Sequence, residues 1–251
     1  MTTTFADPVT SSIGRAAATP VRDVAPRKDL YVSIHKALRS FMTDTLARIG
    51  RIDVADRADR DAALDQLDAL LALCLDHLRH ENEFVHTAIE ARQPAGSQRI
   101  ADEHVEHAES IAALRGEAAA LRQAAAADAD RLALRLYRHL ALFVAENFQH
   151  MHIEETAHNA LLWQHYSDAE LGALHGRLLA SIAPKDQLLV ARWMVPASTP
   201  AERAIIVGGA KAQMPPEALL GLMAMLRPHL DDAGWAKLAA AAGVAPAFGS
   251  R

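Results

Sequence analysis

A histidine followed four residues later by a glutamate falls on an apolar helix face twice in this chain, as His77 with Glu81 and as His150 with Glu154. On a helix, residues four apart project side by side. Imidazole is the commonest side-chain metal ligand, and carboxylates bridge ions in dinuclear sites. Two such pairs facing each other are the raw material of a metal centre. The sequence holds 13 histidines against 1 cysteine. A single cysteine excludes a disulfide framework, a Cys-based zinc finger and an Fe–S cluster. Histidine is therefore the residue to place.

The elements that must position these groups are helices. With 251 residues, 51% of them hydrophobic, the chain is long enough to bury a sizeable core. No strand-like alternation occurs. Helix 1 is expected at about 29–50 and helix 2 at about 59–91, ending before Gln93-Pro94-Ala95-Gly96. Helix 3 is expected at about 97–126 and helix 4 at about 128–165. Ser167 with Glu170, and Thr199 with Glu202 behind Pro200, are capping-box signatures of further short helices. The chain divides into a flexible arm (1–28), a helical bundle (29–166) and a C-terminal helical extension (167–251).

Turning each helix at about 100° per residue places the polar groups. In helix 1, His35 lies inside the stripe of Ile34, Leu38, Phe41 and Met42. In helix 2, His77 and Glu81 sit in the middle of the stripe Leu67, Leu70, Cys74, Leu78, Phe84, Val85 and Ala88, while Glu83 and His86 point away. In helix 3, His107 is at the centre of the stripe, with His104 and Glu103 flanking it as further ligands or supports. In helix 4, His150 and Glu154 share the face of Leu140, Phe143 and Asn147. His152 and Glu155 turn away there, and His158 lies at the flank, near enough to be an extra or supporting ligand. A glutamate in an apolar stripe is expensive unless it is paired or metal-bound. One ion would leave several of these groups unsatisfied. Two ions bridged by Glu81 and Glu154, with His35, His77, His107 and His150 as the imidazoles, would satisfy them all.

Rival metal patterns fit less well. A ferritin-like plan needs Glu-x-x-His on two helices and a glutamate on each of the others. Here Glu83-x-x-His86 is expected to face outward, Glu155-x-x-His158 lies at the edge, and helix 1 has no glutamate. His-Glu-x-x-His, a Gly-rich phosphate loop and Gly-x-Ser-x-Gly are all absent.

The segments Ile34-His35-Lys36-Ala37-Leu38-Arg39, His77-Leu78-Arg79-His80-Glu81, Glu103-His104-Val105-Glu106-His107 and His150-Met151-His152-Ile153-Glu154-Glu155 resemble the hemerythrin-like (HHE cation-binding) superfamily. The resemblance covers roughly residues 29–165. It implies an all-α, up-down four-helix bundle around a non-haem centre of two iron ions. His35, His77, His107 and His150 would be terminal ligands, and Glu81 and Glu154 bridges. Two departures stand out. Oxygen-carrying hemerythrins have two histidines four apart on the third helix, where this chain has Glu103 four before His107 and His104 three before it. They also pair His with Asp five residues on in the last helix, where this chain has His150 and Glu154 four apart. The set looks more like bacterial hemerythrin-like proteins linked to nitrosative stress and iron-cluster repair.

The expected function is binding of a diatomic ligand, O2 or NO, for sensing, storage or stress response. The alternative is a di-iron oxidase or oxygenase whose organic-substrate site is shaped by the C-terminal helices. With a net charge of −5, the chain is a poor match for nucleic acid. No stretch approaches a transmembrane span, and the expected compartment is the cytoplasm. Trp193, Trp235, Met223 and Met225 suggest that the extension is a structural cap, and Cys74 reads as an inert buried thiol.

Overall fold

A computed structural model describes residues 27–245. The expected arm, 1–28, lies almost wholly outside them. The described residues form nine helices and no strand. α1 is Val32–Gly50. α2 runs over 57–92, as α-helix at Arg57–His80, a π-helical turn at Glu81–His86, and α-helix again at Thr87–Arg92. α3 is Gln98–Arg122. α4 runs over 126–165, again in three parts: Ala126–Ile153, a π turn at Glu154–His158, and Asn159–His165. The shorter helices are α5 Asp168–Ser181, α6 Pro184–Ala197, α7 Pro200–Gln213, α8 Pro216–Leu226 and α9 Asp232–Ala242.

Local chemistry sets the boundaries. Asp56 caps α2 by accepting from the backbone N–H groups of Ala58 and Asp59, so the helix begins before the expected Asp59. Ahead of α1, Asp29 binds the N–H groups of Tyr31 and Val32, which places residues 29–31 before the helix. Both expected capping boxes form, Ser167 with Glu170 and Thr199 with Glu202. α9 ends on Gly243 at φ +71°, a left-handed conformation that glycine adopts without strain.

The four long helices pack in a closed circuit: α1 against α2 and α4, and α3 against α2 and α4. Their main core holds Leu38, Phe41, Leu67, Leu70, Leu114, Leu136 and Phe143. α6 lies along α1, where Trp193 stacks on Phe41 with ring centroids 4.1 Å apart. The later helices enclose a second core around Met223, Leu226, Trp235 and Leu238. A third cluster, including Tyr31, Val85, Ile89, Leu162 and Leu171, packs beside the two π turns and brings α5 in. No described helix is long and apolar enough to cross a membrane.

The π turns change the phase of the helices that carry them. They close through i→i+5 bonds, so the fifth residue after the first returns toward the same face. In a regular α-helix His86 would sit about 140° around from Glu81. Instead it is buried, and beyond the turn the buried face is Val85, His86 and Ile89, while Phe84 and Ala88 of the expected stripe are only half-buried. The outward orientation expected of His86 is thereby corrected. His158, four residues after Glu154, lies within about 40° of it even in a regular helix, and it is buried rather than flanking.

Candidate metal centre

Glu81 and Glu154 lie at the middle of the site, 2% and 0% exposed, and the π turns of α2 and α4 each begin on one of them. On one side are His35 from α1 and His77 from α2. His35 Nε2 is 3.4 Å from Glu154 Oε2 and 3.7 Å from Glu81 Oε1, and His77 Nε2 is 3.2 Å from Glu81 Oε1. On the other side are His104 from α3 and His150 from α4. His104 Nε2 is 3.5 Å from Glu81 Oε2 and 3.8 Å from Glu154 Oε1, and His150 Nε2 is 3.4 Å from Glu154 Oε1. The groups His35–His77–Glu81–Glu154 and Glu81–His104–His150–Glu154 each bring one donor atom per residue within 4.8 Å of the others. Both share the two glutamates.

The outer nitrogens are held from behind. His35 Nδ1 is 3.0 Å from Glu155 Oε1, and Arg39 grips that carboxylate with both terminal nitrogens. His150 Nδ1 is 2.8 Å from Glu103 Oε2, whose other oxygen takes a bond from Arg99. His104 Nδ1 is 2.8 Å from Asn82 Oδ1. Each partner accepts an Nδ1–H and so leaves the Nε2 lone pair facing the glutamates. Metal-ligating histidines are oriented by this kind of outer contact. The Nε2 atoms of His104 and His150 are 3.1 Å apart. Two lone pairs that close repel unless a cation, proton or metal ion, lies between them.

His35 Nε2, His77 Nε2 and both oxygens of Glu81 and of Glu154 are buried without a hydrogen-bond partner among the described residues. Such concentration of orphaned buried groups is costly in a native core. A metal ion satisfies carboxylate oxygens and imidazole lone pairs together, so the residues present fit one. Burial and the charge of Glu154 push the Glu81 carboxyl up to about 8. Burial also acts on Glu154, but His104, His150 and His35 outweigh it and hold that carboxyl well below its ordinary range. Burial lowers His35, yet Glu155, Glu81 and Glu154 prevail and raise it to about 9. His77 is pushed well below 6.5, by burial first and by His35 second. Without a metal, the cluster thus balances its charge by sharing protons.

Six of the residues expected from sequence meet here: His35, His77, Glu81, His104, His150 and Glu154. His107 does not join them. It is buried, but its ring faces Phe143 and His150, with centroids 6.0 and 4.7 Å away, and it belongs to neither donor group. His104 takes the place assigned to it. Helical phase fixes which way a side chain points but not how far along the neighbouring helices it arrives, and His104 is the one level with the glutamates. Glu103 supports His150 from outside the cluster. Glu155, expected to turn away, does leave the cluster but reaches back to His35. Glu83 is exposed, 3.8 Å from Arg79. Cys74 is buried, and burial pushes its thiol up to about 12.

Sequence periodicity missed His86, whereas it left His158 at the flank as an extra or supporting ligand. They form a third group with Glu154, again with one donor atom each within 4.8 Å. The only available hint was their position relative to the glutamates, five residues after Glu81 and four after Glu154. Two surface clefts contain none of these residues. One, of about 290 Å³, lies between α3 and α4 beside Glu117 and Arg135, and the other, of about 430 Å³, lies in the extension beside Arg203 and His229.

No protein-family model, curated protein or solved structure matches the chain.

Proposed function

We propose that residues 29–166 are an up-down four-helix bundle of hemerythrin-like type holding two iron ions, and that the centre binds a diatomic ligand, O2 or NO. The observation that carries this reading is the pair of donor groups sharing Glu81 and Glu154. Each group offers two imidazoles and two carboxylates, which leaves positions open on six-coordinate ions. The residues carry an imidazole-and-carboxylate set suited to first-row metals, with no thiolate among them.

Two bridged iron ions would supply reversible binding of a small ligand at an open position. The chain supplies the rest. Glu155, Glu103 and Asn82 fix the tautomers of His35, His150 and His104. Phe143, Val85 and Leu162 belong to the apolar clusters around the helices and keep bulk water away. Burial excludes solvent from the glutamates and strengthens their hold on cations.

The test is spectroscopic and analytical. Purified protein should contain two irons per chain and an oxo-to-iron absorption band that changes reversibly with O2 or NO. If the protein binds no metal, and added Fe2+ leaves its melting temperature unchanged, the reading is wrong. Sustained O2 consumption driven by an organic substrate would move the assignment to an oxidase.

A further inference from the structure

We propose a third divalent-metal position, beside the pair, formed by His86, His158 and Glu154. It goes beyond the dinuclear reading and rests on it only through the shared Glu154.

The three side chains are 5%, 2% and 0% exposed, and their donor atoms lie within 4.8 Å of one another. His86 Nε2 is buried without a hydrogen-bond partner. His86 stacks on His104 at 4.8 Å and meets His158 edge-on at 5.3 Å. Neither ring contact satisfies a nitrogen. His158 Nδ1 is 3.2 Å from the hydroxyl of the buried Tyr31. The contact lets Nδ1–H donate to the tyrosine oxygen, the tautomer in which Nε2 keeps its lone pair for a metal. Tyr31 thus stands behind His158 as Glu155 stands behind His35.

The backbone makes the same point. Each π turn begins on a central glutamate and ends on a histidine of this group: Glu81 to His86, and Glu154 to His158. Isolated π turns are rare and recur at functional sites. The turn in α2 brings His86 inward, to where His158 lies on the face of Glu154. A carboxylate has about four lone-pair positions, so Glu154 has capacity beyond the pair. Two imidazoles and one carboxylate with open positions form a donor set suited to Fe2+ and similar first-row cations.

The full chain, stripped with chelator, is titrated anaerobically with Fe2+, and separately with redox-inert Zn2+. Bound ions are counted by native mass spectrometry. The expected count is three per wild-type chain and two in the His86→Gln/His158→Gln double variant. An anomalous-scattering map of the wild-type chain provides a measurement independent of the variant's folding, and should show a peak between His86 and His158. Saturation of the wild type at two ions, both at the bridged pair, overturns this inference and leaves the dinuclear reading intact. A folded double variant that still takes three ions, or that falls to one, also overturns this inference, and the fall to one counts against the pair as described. A single ion located at His86 and His158 would sustain this inference and overturn the pair. A chain that takes up no ion overturns both.

Discussion

Replacing Glu155 by alanine separates the orientation of a ligand from its identity. Glu155 does not belong to any of the three donor groups, yet it accepts from His35 Nδ1 at 3.0 Å and is gripped by both terminal nitrogens of Arg39. Removing it frees the His35 ring to change tautomer and leaves Arg39 facing an uncharged gap. Loss of such outer partners typically weakens metal binding by about 10- to 100-fold. That is roughly 1.4–2.8 kcal/mol of binding free energy. The metal-free fold should weaken too. Burial raises the Glu155 carboxyl, but His35 and Arg39 outweigh it and bring it from 4.5 to about 2. At about 1.36 kcal/mol per pH unit, this sets an upper limit of about 3 kcal/mol, present above pH 4.5 and lost as pH falls toward 2. For a chain of this size, the melting temperature should fall by up to about 10 °C. Glu155→Gln should lie between wild type and alanine, because its amide oxygen still accepts the Nδ1 proton. The assays are chelator competition with Zn2+ and thermal melting of the stripped protein. Affinity within twofold of wild type in Glu155→Ala would show that His35 needs no such support.

Glu81→Ala and Glu154→Ala should each lose most of the bound metal, measured by elemental analysis, because each glutamate belongs to both halves of the pair. Glu83→Ala should retain it, since that side chain is exposed; metal loss in that variant would mean that the face of α2 has been misassigned. Trp193→Ala removes the stack on Phe41 and should destabilise the fold by up to about 3 kcal/mol, the low end for core tryptophans because Trp193 is only half-buried. Its metal content should be unchanged, so a melt with parallel metal analysis checks both halves. The metal-free protein should be most stable near pH 6.5. Burial lowers His86 to about 3 and His107 to about 4, so the unfolded chain takes up more protons below 6.5 and stability falls on acidification. His35 and Glu81 are raised, to about 9 and about 8, so their contributions are lost as pH rises through those values. A melting temperature that changed in one direction only from pH 4.5 to 9 would contradict this balance of signs.

The amino-acid sequence alone determined the helices, because apolar periodicity and the caps at Ser167 and Thr199 act within a few residues. It also determined that His35, His77, Glu81, His150 and Glu154 face inward, since each lies on a regular stretch of helix or at the very start of a π turn. Three things depended on tertiary structure. The choice of His104 over His107 depends on height along α3 relative to the glutamates of α2 and α4, which angular position cannot report. The burial of His86 depends on the π turn of α2, whose i→i+5 bonds break the 3.6-residue repeat. The pairing of His35 with Glu155 joins residues 120 positions apart. Local physics assigns each side chain a direction, but only packed helices decide which side chains arrive at the same point.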